Sequence, residues 1–197
     1  SVMGKKGDFT KRYIKERAMK LFARKGFKNV TMQDICEATE LSRGGLYLHY
    51  KSTGQIFSEI IDDLMNAQGD EFSEKIERGL SAKEILLQVL KRYKDEMMDA
   101  KGALSVAIYE FFSADAAKQD NALCRQYQKS YLMWKRLLEY GISRKEFNAV
   151  DIDAIFDLIV FSYQGVRMYS ELMTIDGRTP DRIISLIKTI LLPNEEV

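Results

Sequence analysis

The sequence is poorest in the residues that enzyme sites and disulfide-built folds need. It holds one histidine, two cysteines and two prolines in 197 residues. A lone histidine, His49, excludes most catalytic triads and histidine-built zinc sites. Cys36 and Cys124 lie far apart, match no metal spacing, and fit a reducing cytoplasm. No glycine-rich phosphate loop is present. Ser185 and Lys188 match an S-x-x-K spacing, but nothing else of that enzyme class accompanies them. They read as an exposed pair on an amphipathic helix. Neither a catalytic nor a metal site is expected. No apolar run reaches the roughly 18 residues of a membrane span. No signal peptide is read at the start, where Ser1-Val2 ahead of Met3 looks like an expression remnant. The expected setting is therefore the cytoplasm.

What is abundant is helical patterning. Hydrophobic residues make up 46% of the chain, and Pro180 and Pro193 leave long stretches unbroken. The fold class expected is all-α, with about nine helices. Net charge is only +1, but residues 1–55 carry 12 Lys/Arg against 5 Asp/Glu, and residues 56–197 carry 18 against 24. Such an asymmetry suggests a basic nucleic-acid-facing part joined to a neutral or acidic body.

Residues 31–51, TMQDICEATELSRGGLYLHYK, hold two short helical patterns around a tight turn. Thr31 with Asp34 three positions on forms a capping box in outline. Ile35, Cys36 and Ala38 make a short apolar stripe, and the pattern breaks at Thr39-Glu40-Leu41. Ser42 is a second N-cap candidate, with Leu41 before it in the place of a staple residue. Such a pair is the form of a helix-turn-helix, or else a loop between two ordinary helices. Arg43 would lie in the first turn of the second helix, where side chains reach base edges. Gly44 and Gly45 each cost roughly 1 kcal/mol against alanine in a helix. Close approach of bare backbone to DNA would account for them. Tyr47, His49 and Lys51 can donate to phosphate.

Around this stretch the chain reads as follows. Residues 1–7 form a flexible basic arm. Residues 8–25 form an amphipathic helix with Ile14, Ala18, Leu21 and Phe22 on one face, closed by Gly26. Phe27 and Val30 plug the small core. Ser52 or Thr53 caps a fourth helix that runs to about residue 78 and ends at Gly79. Ser81 opens a helix to about residue 100, Gly102 breaks it, and a shorter helix covers 103–113. A polar stretch, 114–121, leads to a long helix ending at Gly141. From 152 to 173 the pattern is apolar almost all round, so one side is expected to meet another subunit. Residues 180–192 form the last helix, stopped by Pro193.

Leu21-Phe22, Gly26, Thr31, Ile35, Ser42, Gly44, Leu46-Tyr47, His49-Tyr50 and Lys51 together carry a resemblance. Over about 50 residues the chain resembles the N-terminal domain of the TetR family of bacterial transcriptional regulators. Gly45 stands where a larger residue is usual, and Leu48 where an aromatic is common. The resemblance implies a three-helix DNA-binding domain at 1–51 and a ligand-binding and dimerisation domain at 52–197. It implies that Thr31, Tyr47 and Lys51 contact phosphate, and that His49 contacts phosphate or braces the turn. Arg43 would be the best base reader, with Gln33 and Ser42 weaker candidates. Leu46, Tyr50, Ile35 and Phe22 would form the mini-core. It further implies a homodimer through the helices at about 151–174 and 180–192, bound to a palindromic site on double-stranded DNA.

An inducer pocket in the body is implied too, for a small apolar or aromatic effector. Tyr109, Phe112, Tyr127, Tyr131, Trp134 and Tyr163 are candidates to line it, with Gln164 and Arg167 to orient the ligand. An aromatic stripe at helical spacing also fits plain core. The function expected is a ligand-relieved repressor. Two alternatives stand beside it: a DNA-binding regulator with no small ligand, and a helical small-molecule-binding protein whose head has lost DNA.

Overall fold

A computed structural model describes residues 2–99, 104–114 and 121–194. Among these residues there are ten α-helices and no strand. None of the helices is long and apolar enough to cross a membrane. The chain divides into two compact units, residues 1–67 with 101–122, and residues 68–100 with 123–197.

The first unit contains α1 (Val2–Lys25), α2 (Met32–Thr39), α3 (Arg43–Tyr47), α4 (Thr53–Ala67) and α7 (Ser105–Ser113). Ile14, Ala18 and Phe22 of α1 meet Ile35 of α2, Leu46 of α3 and Ile56, Phe57 and Ile60 of α4 in one core. Phe27, in the connection after α1, stands 5.3 Å from Phe57 and 5.1 Å from Phe111 between ring centres, and so joins α4 to α7. The Glu110 carboxylate on α7 accepts from the Lys28 backbone N–H at 2.8 Å. Gly26, at φ +77°, turns the chain out of α1 and donates its N–H to the Phe22 carbonyl at 2.9 Å.

The expected arm at residues 1–7 is a correction: α1 is already helical from Val2. Among its described side chains, none before Ile14 is fully buried. Those turns propagate from the packed half, where each added residue adds one hydrogen bond without a new nucleus.

The second unit contains α5 (Ser73–Glu77), α6 (Ala82–Met97), α9 (Ile152–Ser170), α10 (Thr179–Leu191) and nearly all of α8 (Ala122–Ser143). Trp134 is fully buried, edge-on to Phe72 at 5.1 Å, in a core shared with Ile85, Leu86, Phe156 and Ile187. Two side chains close helix ends. Glu146 accepts from the Ala82 N–H at the start of α6 (3.2 Å), and Asn148 donates to the Ile190 and Leu192 carbonyls at the end of α10 (3.0 and 3.2 Å).

The single helix expected over residues 53–78 is two helices. α4 ends at Ala67, and the Asp70 carboxylate accepts from the N–H groups of Phe72 (3.1 Å) and Ser73 (3.0 Å). This side-chain turn competes successfully with helical bonding. Gly79 then closes α5 at φ +79°, with Leu80 N–H returning to the Lys75 carbonyl at 3.0 Å. α8 also runs past its expected end. Gly141 is buried within it, and a Cβ there would collide with the Phe147 ring. Lys145 takes the left-handed position (φ +59°) instead. The expected break at Gly102 and most of the stretch 114–121 lie outside the described residues.

Candidate nucleic-acid interface

The α2–turn–α3 module is built by its caps. The Asp34 N–H donates to Thr31 Oγ1 at 3.1 Å, and the Thr31 N–H donates to Asp34 Oδ2 at 2.9 Å, which completes the expected capping box. The backbone hydrogen bond from Thr31 is the main reason the Asp34 carboxyl is held below the usual carboxylate range; its 3.5 Å approach to Lys25 adds to it. The chain leaves α2 through Glu40 at φ +58°. Thr39, buried beside this turn, bonds the Ile35 carbonyl at 2.6 Å, and the Tyr13 hydroxyl donates to the Thr39 carbonyl at 3.4 Å. α1 thereby braces the turn.

Ser42 Oγ accepts from the Gly45 N–H at 3.0 Å and caps α3. Leu41 before the cap and Leu46 after it share one core, as a staple requires. α3 is only five residues long. Leu46 and Tyr50 have no exposed surface. The Tyr50 hydroxyl donates to Glu59 at 2.5 Å, and burial first, then Glu59, pushes that phenol well above its ordinary range. Lys11 of α1 lies over the same ring at 5.1 Å. Ser52 caps α4 by accepting from the Gln55 N–H at 3.1 Å, while Gln55 Oε1 accepts from the Lys51 N–H at 2.8 Å.

With the apolar positions turned inward, Thr31, Gln33, Ser42, Arg43, Gly44, Tyr47 and Lys51 are exposed, while Gly45 and His49 are half-buried. The Arg43 guanidinium stacks on the Tyr47 ring at 5.6 Å. The two glycines differ. A Cβ on Gly45 would come 3.1 Å from Ser42 Oγ, so glycine there leaves room for the cap. A Cβ on Gly44 would meet nothing within 4 Å. Nothing inside the unit requires glycine at 44. Leu48, which sequence reasoning noted only as a departure from an aromatic, is 84% exposed. The available signal was its place between the two buried positions Leu46 and Tyr50.

The residues expected to line a pocket fall in both units. Tyr109 is exposed and Phe112 packs against the core, both in the first unit. In the second unit, Tyr127 and Tyr131 donate to Asp157 and Asp153, each at 2.6 Å, and with Phe156 line an open cleft of about 290 Å³. Trp134 lies in the core beside Tyr93, and Tyr163 lies 4.5 Å from Tyr93 between ring centres. The Tyr163 hydroxyl donates to Glu96, and Arg167 donates to the Glu96 carbonyl at 2.9 Å. Gln164 is on the exposed side of α9.

Residues 14–60 match a model described as bacterial regulatory proteins of the tetR family. Residues 85–178 match one described as a tetracyclin repressor-like C-terminal domain. An uncharacterised HTH-type transcriptional regulator of Bacillus subtilis, YfiR, is 31% identical over 146 residues, covering 70% of this chain and 67% of its own. The HTH-type transcriptional repressor KstR2 of Rhodococcus jostii is 27% identical over 156 residues, covering 78% and 74%. Among solved structures, a TetR transcription regulator from Haloarcula marismortui superposes with TM-score 0.72 at 16% identity, over 93% of this chain and 99% of that one.

Proposed function

Since this chain belongs to the TetR family of bacterial regulatory proteins and is a DNA-binding transcriptional regulator, we propose how its parts divide the work. Residues 1–51 read DNA, and residues 52–197 dimerise and sense an effector. The observation that carries this reading is the capped α2–turn–α3 module with Arg43, Gly44 and Tyr47 exposed along α3. Arg43 reads a base edge, where a guanidinium fits guanine. Thr31, Tyr47 and Lys51 hold phosphates, and His49 holds a phosphate or braces the turn. Gln33 and Ser42 add contacts from the helix starts. Gly44 and Gly45 bring the backbone of α3 close to the duplex.

Two chains pair through α9 and α10. The support is apolar surface left uncovered on both: Leu158, Phe161 and Tyr169 on α9, and Leu186 on α10. A two-fold dimer calls for a palindromic operator with half-sites about one helical turn, roughly 34–36 Å, apart or somewhat wider. The regulator acts in the cytoplasm as a repressor, and a small apolar or aromatic effector in the body releases it. Such coupling needs a state that binds effector better and DNA worse, with a typical difference of about 1–3 kcal/mol. We assign the chain no catalytic activity.

Selection from genomic fragments, followed by titration of the best site at two salt concentrations, tests the reading. The expected result is a palindrome bound far more tightly than random DNA, with affinity falling steeply in salt. Weak, sequence-blind binding would overturn it.

A second test separates fold from function. Gly44→Ala raises stability by up to about 1 kcal/mol, because alanine is the better helix former and its Cβ has open space. The same methyl group costs about 1–3 kcal/mol of operator affinity through overpacking at a close interface. Thermal melts and a titration read the two effects in opposite directions. Unchanged affinity would mean that α3 does not approach DNA closely at Gly44.

A further inference from the structure

We propose that Leu48 reads the C5-methyl group of one thymine in each half-site, resting on the proposed docking of α3 in the major groove. Leu48 is the most exposed large apolar side chain among the described residues, at 84%. It is also held firmly in that position. Its N–H donates to the Gly44 carbonyl at 3.1 Å, and its backbone is regular helix at φ −62° and ψ −30°. The N–H groups of His49 and Tyr50 both return to the Leu46 carbonyl at 3.0 Å. Leu46 and Tyr50 are anchored in the core with no exposed surface. Leu48 cannot turn inward without unseating one of them.

The chemistry of leucine narrows the partner. It has no donor or acceptor, so it cannot grip a phosphate or read a polar base edge. In the major groove, the apolar group a base offers is the thymine methyl. Leu48 follows Gly44 by one helical turn and so shares its face. At Gly44 no side chain holds the helix away from the duplex, and at Leu48 an aliphatic side chain projects from the same face.

The experiment replaces each thymine of the selected operator by deoxyuridine, one position per half-site at a time, which removes only the methyl group. Wild-type affinity is expected to fall about fourfold at one thymine, on the scale of one buried methylene. L48A is expected to bind the thymine and deoxyuridine versions of that position equally and to keep wild-type ratios elsewhere. Leu48→Met, which keeps an aliphatic reach, restores the discrimination. A thermal midpoint for L48A equal to that of the wild type confirms that the fold is intact. Unchanged thymine-to-deoxyuridine ratios in L48A at every position would overturn the leucine's role alone. Absence of tight binding to the unmodified site would overturn the regulator reading, and this role with it.

Discussion

Replacing Phe161 and Leu186 together by glutamate is expected to give a folded monomer that binds the operator at least about a hundredfold more weakly than the wild type. The size follows from linkage. Once one head is bound, the second binds as an intramolecular event, which typically contributes 10²–10⁴ in avidity. Both side chains are more than half exposed, at 61% and 56%, and Phe161 packs within the chain against Tyr127, 5.8 Å away between ring centres. Glutamate within the proposed α9–α10 seam would have to be buried without a partner, which proteins avoid at a cost of several kcal/mol. Sedimentation velocity and an operator titration read the two outcomes. Leu132→Glu, at 66% exposure on α8 rather than on α9 or α10, is the control and is expected to remain dimeric. A double variant that stays dimeric at full affinity would place the seam elsewhere.

Arg43→Ala is expected to cost about 1–3 kcal/mol on the operator, some five- to 150-fold, with little loss on random DNA. The guanidinium lies over the Tyr47 ring at 5.6 Å and offers a planar fork of donors that suits a base edge. Tyr47→Phe keeps that ring and removes only the hydroxyl. It should therefore weaken operator and random DNA alike. Lys51→Ala should do the same and reduce the salt slope by about one. Parallel titrations on both DNAs at several salt concentrations check all three. Equal losses on operator and random DNA for Arg43→Ala would remove it as the base reader.

Much of the head was legible in the sequence because short-range chemistry defines it. Thr31, Asp34, Ser42 and Gly26 act within four residues of themselves, and each does what its spacing implied. The inward positions Phe22, Ile35, Leu46 and Tyr50, which the resemblance implied, do share one core, although they stand on different elements and no single helical period joins them. The end of α4 was not. Leu64, Met65, Phe72 and Ile76 keep a helical rhythm across residues 68–72, so the apolar pattern runs on where the backbone does not. Only Gly69-Asp70 marked the stop, and its force lies in a side-chain turn that periodicity does not register. Gly141 misled in the opposite sense. It looked like a helix end, yet its missing side chain receives the Phe147 ring from a later segment. For the aromatic candidates of the body the sequence was silent on a related point: equal spacing along helices says nothing of which helices face one another.

The turn at Asp70 bears on how a signal could travel. One unbroken rod over residues 53–78 would act as a stiff lever, carrying rotation and displacement alike to the DNA-reading end. Two helices interrupted at residues 68–72 share no continuous run of helical hydrogen bonds, so no single rod spans that length. What holds the interruption in place is the Asp70 carboxylate, which accepts from the Phe72 and Ser73 N–H groups.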